Sequence, residues 1–233
     1  VTWQSYNQDS YGDNIYGQRY DAAGSPVDGE FPVNTETYYY QQNSSVTALA
    51  GGGFVVTWQS DNQDGSGRGV YGQRYDAAGN AAGDEFQINT FTSDNQMAPS
   101  VTALAGGGFV VTWQSYYQDG GSFGEGGSSG YGVYGQRFDA AGKAVGEEFQ
   151  INTYTSNDQS YPSVAALADG GFVVSWQSYY QDDYGQGVYS QRFDAEGKAV
   201  GPFVLTGDGA DNTIAAVAGI AVIDGAAGND TLS

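Results

Sequence analysis

Gly51-Gly52-Gly53-Phe54-Val55-Val56-Thr57-Trp58-Gln59-Ser60 decides how this chain is read, because the stretch recurs. It returns at Gly106 to Ser115 and, with Asp169 in place of the first glycine, at Asp169 to Ser178. Val1-Thr2-Trp3-Gln4-Ser5 is a truncated copy, so Trp3, Trp58, Trp113 and Trp176 are spaced by 55, 55 and 63 residues. A period of that size marks supersecondary units that bury their faces against their neighbours. Alternation places Phe54, Val56 and Trp58 on one face of a strand and Val55 and Thr57 on the other. Both faces are largely apolar, which fits a strand in a sheet packed between two other sheets.

A second run follows each Trp: Val70-Tyr71-Gly72-Gln73-Arg74-Tyr75-Asp76-Ala77-Ala78-Gly79, with copies ending at Asp21, Asp139 and Asp194. Tyr71, Gln73 and Tyr75 share one strand face, and Asp-Ala-Ala-Gly then reads as a turn. The third unit has 20 positions from Trp113 to Val133, against 12 from Trp58 to Val70, and the extra material is a Gly/Ser-rich surface loop.

These strand-length runs predict an all-β repeat fold with four strands per unit, taken in the middle unit as 85–89, 100–104, 109–114 and 132–139. A partial unit spans 1–30, and full units span 31–85, 86–148 and 149–202. Phe31, Phe86, Phe149 and Phe203 hold one place in the period, which makes 203–206 a candidate closing strand. The architecture expected is a four-bladed β-propeller closed by N- and C-terminal half-blades, which would remove exposed sheet edges. The alternative is an open β-repeat array. Because the sequence begins inside a unit, it reads as a fragment or a processed chain.

Acidic side chains number 27 against seven Lys plus Arg, a formal net charge of −20. Phosphate backbones would be repelled, so nucleic acid is excluded as a partner. The sequence has no apolar stretch that would insert into a membrane. With no cysteine and no histidine, thiol chemistry, His/Cys metal clusters and a neutral-pH imidazole acid/base are all excluded. Glycoside hydrolysis would need two carboxylates in different environments across a cleft, whereas the acids here recur almost identically between units. Enzyme activity is accordingly not expected.

Four constellations are candidates for function or structure. The recurring Trp3, Trp58, Trp113 and Trp176 are read as core anchors. Arg19/Asp21, Arg74/Asp76, Arg137/Asp139 and Arg192/Asp194 are structural pairs that form ion pairs, bridge adjacent blades or satisfy turn carbonyls. Tyr6, Tyr38, Tyr39, Tyr40, Tyr116, Tyr117, Tyr179 and Tyr180 lie in loops beside Asp, Asn and Gln, a mixture that stacks on sugar rings or holds a protein partner. Asp9, Asp64, Asp119 and Asp182 each stand six positions beyond a Trp, where they serve as Asx turns or, more weakly, as metal ligands.

From residue 207 the character changes. Gly225-Ala226-Ala227-Gly228-Asn229-Asp230-Thr231-Leu232-Ser233 matches the calcium nonapeptide pattern with one Gly replaced by Ala, and Gly207-Asp208-Gly209-Ala210-Asp211 is a looser version. Asp208, Asp211, Asn229 and Asp230 are therefore the calcium candidates, and 207–233 is read as a partial calcium-binding tail.

Taken together, the Gly-Gly-Phe-Val-Val-Thr-Trp-Gln-Ser and Val-Tyr-Gly-Gln-Arg-Phe/Tyr-Asp-Ala-Ala-Gly runs resemble repeats of large secreted bacterial calcium-associated proteins and adhesins. Residues 207–233 resemble the start of a hemolysin-type, or RTX, tail. The resemblance implies secretion or cell-surface display, calcium, and an extracellular protein, a glycan or other copies of the chain as partner. The function expected is a noncatalytic structural or adhesive module, with a lectin-like carbohydrate-binding module as the alternative and a glycoside hydrolase as a remoter one.

Overall fold

The computed structural model describes residues 1–8, 12–119, 130–181 and 185–201, together with the backbone of four short strands beyond them. Those residues contain no helix. They form four antiparallel sheets: β1 (Thr2–Tyr6), β2 (Asp13–Tyr20) and β3 (Pro26–Pro32); β4 (Gln41–Ala48), β5 (Phe54–Asp61), β6 (Arg68–Tyr75) and β7 (Phe86–Gln87); β8 (Gln96–Ala103), β9 (Phe109–Tyr116), β10 (Tyr131–Phe138) and β11 (Ala144–Gln150); β12 (Gln159–Ala166), β13 (Phe172–Tyr179), β14 (Gln186–Phe193) and β15 (Ala199–Val200).

Register repeats with the sequence. Trp3, Trp58, Trp113 and Trp176 face Tyr16, Tyr71, Tyr134 and Tyr189 across the equivalent strand pair of each sheet. The strand around each repeated Phe closes the sheet before it rather than opening the next, so Gly72 pairs with Phe86 and Gly135 with Phe149. The tight Asp-Ala-Ala-Gly turn brings the chain straight back alongside β6 or β10, and consecutive strands joined by short connections pair as neighbours. Sheet boundaries therefore lie one strand later than the four-strand assignment made from sequence.

The sheets pack face to face in succession. Ile15 and Val33 of the first meet Val56, Trp58, Tyr71 and Tyr75 of the second. Val55 and Val70 of the second meet Phe109, Val111, Trp113 and Phe138 of the third. Val110 and Val133 of the third meet Phe172, Val174, Trp176 and Phe193 of the fourth. Burial of both faces explains why Phe54–Asp61 and Phe109–Tyr116 are covered along nearly their whole length, with Phe54, Val55, Val56 and Trp58, and their counterparts from Phe109, apolar on both sides rather than alternating. Inner strands β4, β8 and β12 touch in turn, a propeller-like progression, but no comparable contact joins the fourth sheet to the first among the described residues.

Polar clasps reinforce each join. Arg19 donates to the carbonyls of Ala77 and Ala78, Arg74 to those of Ala140 (2.7 Å) and Ala141, and Arg137 to that of Glu196. Each arginine thus holds the turn of the following sheet. The aspartate of each Arg-x-Asp pair caps its own turn instead: Asp21, Asp76, Asp139 and Asp194 accept backbone N–H groups within four residues. Arg192 pairs with Asp169, the residue that replaces the repeated glycine. Glu85 accepts from Gln63 (2.6 Å) and from the Thr35 N–H (2.7 Å) and hydroxyl (3.0 Å). Glu148 does the same with Gln118 and Thr90.

Beyond residue 203 the backbone forms β16 (Val204–Thr206), β17 (Thr213–Ile214), β18 (Val222–Asp224) and β19 (Thr231–Leu232). β16 pairs with β18 in parallel (Val204↔Val222), and β17 with β19 (Thr213↔Thr231). The strand expected to close the first sheet is therefore paired elsewhere, and β1 remains an edge.

Candidate functional site

Local geometry at the end of each Trp strand builds the site. Inner strands β4, β8 and β12 each carry a bulge whose central residue is left-handed: Asn43 (φ 54°), Ala98 (φ 54°) and Tyr161 (φ 53°). The Gln of Trp-Gln-Ser in the preceding sheet receives that residue's N–H, with Gln59 Oε1 accepting from Ala98 (3.1 Å) and Gln114 Oε1 from Tyr161 (2.8 Å). The frame recurs while the residue set into it changes. Tyr117 (φ 55°) and Tyr180 (φ 56°) are likewise left-handed where other copies have Asn7 and Asn62. Asparagine tolerates that region, whereas a bulky aromatic there is strained, and such strain clusters at functional sites.

Between the third and fourth sheets this end opens into a cavity of about 430 Å³. Tyr131, Asp158, Tyr161 and Tyr179 line it, with Gln114, Gln177, Gln186, Ser160 and Ser178. Asp158 is fixed by two bonds, its Oδ1 accepting from Tyr131 N–H (3.0 Å) and its carbonyl from Tyr179 N–H (2.9 Å). Tyr161 stands 66% exposed. Ser178 is fully buried and, among the described residues, its Oγ has no partner. The equivalent Ser60 hydroxyl donates to Gln41 and the Ser115 hydroxyl accepts from Gln96, whereas Gln159 donates to the carbonyls of Ser156 and Asn157 instead. A buried, unpaired hydroxyl costs stability unless something bonds it.

The tyrosines beside the cavity stay protonated. Partial burial pushes the Tyr131 phenol up, aided by Tyr116 and the Asp158 carboxylate. Tyr117 is pushed up to about 12 by loss of hydration, then by the hydrogen bond it shares with the Tyr116 hydroxyl at 3.1 Å, which favours keeping its proton. The Tyr180 hydroxyl holds Tyr179 up in the same way. Each phenol therefore offers a neutral ring and an O–H donor.

Of the tyrosines singled out from sequence, Tyr179 lines the cavity and Tyr180 packs edge-on against it at 4.3 Å. Tyr116 packs on Tyr131 (4.9 Å) and Tyr117 on Tyr116 (3.9 Å). Tyr6, Tyr38, Tyr39 and Tyr40 are exposed at the corresponding end of the first two sheets and do not line it. Tyr131, Asp158, Tyr161 and Ser178 were missed. The available signal was divergence between copies: Tyr131 stands where Asp13 and Arg68 stand, and Tyr161 where Asn43 and Ala98 stand.

Trp58, Trp113 and Trp176 are buried, while Trp3 is half-buried against Tyr16. Asp64 makes an Asx turn, its Oδ1 accepting from Ser66 N–H (3.1 Å), and its Oδ2 takes Gln87 (3.3 Å). Both carboxylate oxygens of Asp119 are buried without partners among the described residues. Among the described residues no three acidic side chains gather as a metal site would require. Asp9, Asp182, Asp208, Asp211, Asn229 and Asp230 lie outside the described residues.

No protein-family model and no curated protein matches this chain. Solved structures do resemble it. An endo-arabinase from Bacteroides thetaiotaomicron is 16% identical, over 77% of this chain and 64% of its own, with a TM-score of 0.44. An α-L-arabinofuranosidase from Lactobacillus brevis is 11% identical, over 84% and 67%, at 0.48. A thermostable family-43 glycoside hydrolase is 13% identical, over 87% and 74%, at 0.47. These likenesses lie with proteins that act on carbohydrate, so the reading as a noncatalytic structural or adhesive module, and the exclusion of enzyme activity with it, do not stand. At 11–16% identity the likeness is one of overall fold and brings no catalytic residue or substrate to this chain.

Proposed function

We propose that the chain recognises glycans in the cleft between the third and fourth sheets. One observation carries this reading: an invariant repeat frame is lined there by residues that its other copies lack, with Tyr161 held in a left-handed backbone beside the unpaired Ser178 hydroxyl. Tyr161 and Tyr179 supply apolar ring faces for a sugar, and Tyr hydroxyls, the amides of Gln177 and Gln186 and the second oxygen of Asp158 match its hydroxyls.

Titration calorimetry against soluble oligosaccharides of arabinan, xylan and glucan tests the reading. Saturable binding is expected, weakened about two- to twelvefold by Tyr161→Ala or Tyr179→Ala, given roughly 0.5–1.5 kcal/mol per aromatic stack. Tyr6→Ala, outside the cleft, leaves it unchanged. Absence of binding across the panel refutes the proposal, and product analysis of the same mixtures shows whether a glycosidic bond is cleaved.

The four sheets are read with this as consecutive propeller blades presenting one end to the ligand, on a secreted or cell-surface protein. Calcium association of the tail belongs to the same reading. It is supported by the nonapeptide residues Asn229 and Asp230 and by parallel strand pairs 18 positions apart, twice the nine-residue repeat. Asp208, Asp211, Asn229 and Asp230 would hold the ion, which would neutralise their carboxylates. Calcium-dependent protection of residues 204–232 in hydrogen exchange tests it.

A further inference from the structure

We infer that the first and fourth sheets carry the two halves of an unmade inter-sheet interface, which a second copy of this chain completes head to tail. Three joins within the chain use the same pair of faces. The leading half is the side bearing Ile15, Val70 or Val133, each 0% exposed. The receiving half is the side bearing a Trp together with Tyr75, Phe138 or Phe193, all buried. At the two ends each half stands alone among the described residues. Val188, equivalent to Val70 and Val133, is 78% exposed in the middle of β14, and Val173 is half-buried where Val55 and Val110 are fully covered. Tyr20, equivalent to Tyr75 and Phe138, is 52% exposed, beside the half-buried Trp3.

The polar clasp is incomplete at the same place. Turns of the second, third and fourth sheets each receive an arginine from the sheet before, at Ala77–Ala78, Ala140–Ala141 and Glu196. Among the described residues the first sheet's turn, at Ala22 and Ala23, receives none. Glu30 takes Gln8 at 3.0 Å, as Glu85 takes Gln63, but among the described residues it lacks the threonine that completes Glu85 and Glu148. The two free faces are unlike and complementary, so they join heterologously, the fourth sheet of one copy on the first sheet of the next. This continues a join already made three times. A net charge of −20 opposes it at low ionic strength, so added salt strengthens it.

Sedimentation equilibrium of the whole chain in high salt tests the inference. The mass should rise above the 24.5 kDa monomer with concentration. Val188→Glu removes one half and Tyr20→Glu the other, and both positions are exposed in the isolated chain, so urea midpoints should not move. Each variant alone should stay monomeric, its association weakened by about tenfold or more. Mixed in equal amounts, the two should form a one-to-one dimer and nothing larger, because each retains the half the other lacks. A wild-type monomer at every concentration, variants that assemble like the wild type, or a mixture that stays monomeric overturns the inference.

Discussion

Alanine placed in turn at Gly106, Gly107 and Gly108 should give three different outcomes. At Gly106 an added Cβ meets nothing within 4 Å and the backbone is not left-handed, so alanine restricts only the unfolded chain and stabilises by about 0.4–1 kcal/mol. Gly107 has φ +92° with Ala140 Cβ 3.8 Å away, so space is ample but the conformation costs alanine about 1–2 kcal/mol. At Gly108 the Cβ would run into the Phe138 carbonyl oxygen, with Asp139 Cα at 3.2 Å. That carbonyl cannot retreat, because Phe138 pairs with Phe109 at the end of the β9–β10 ladder. Parting the strands should cost about 3 kcal/mol or more, the upper end for overpacking. For a chain of this size that lowers Tm by roughly 6–12 °C. Urea unfolding followed by tryptophan fluorescence measures all three. Gly53 and Gly171 abut the Tyr75 and Phe193 carbonyls in the same way, so their alanine variants should fall with Gly108→Ala. A Gly108→Ala midpoint equal to wild type, or one above that of Gly106→Ala, refutes the reasoning.

Burial pushes the Tyr75 phenol up to about 12, so its stabilising contribution is complete below the ordinary value of 10.0 and is lost as pH rises from there to about 12. Tyr75→Phe, which places there the ring found at Phe138 and Phe193, should abolish that part of the alkaline decline in urea midpoint. Arg74→Ala gives up the bonds to Ala140 and Ala141 and should cost about 1–2 kcal/mol in urea unfolding, the guanidinium being partly exposed. Arg74→Lys should recover little, since one ammonium cannot reproduce the fork. Glu148→Ala strands Gln118 and the Thr90 N–H and should cost about 2–3 kcal/mol, whereas Glu30→Ala, without a threonine partner, should stay within about 0.5 kcal/mol. Equal effects of the two glutamate changes would mean that the clasp does not hold the sheets together.

The strands were legible because their signals are local. Alternation in Phe54–Trp58, glycine turns and a repeated Trp are properties of a few consecutive residues, and they located β5, β9 and β13. Sheet membership was not local: Phe86 can pair forward or back, and only the short return past Asp76–Gly79 sends it back to Gly72. The cleft was half legible. Tyr179 and Tyr116 stood out as loop aromatics, but Tyr131, Asp158 and Ser178 come from three strands or strand ends whose meeting follows from one sheet packing on the next.

By itself the sequence determined the all-β class of fold and the Trp strands that recur in each sheet, since a strand's pleat and a tight turn are set by neighbours along the chain. Tertiary structure decided the rest. Which glycine is crowded, which arginine reaches which turn, whether Arg192 pairs forward or with Asp169, and which serine hydroxyl is left without a partner depend on the distance between surfaces remote in sequence. Those distances arise only when whole sheets pack, because apolar faces choose their partners by shape and burial rather than by order along the chain.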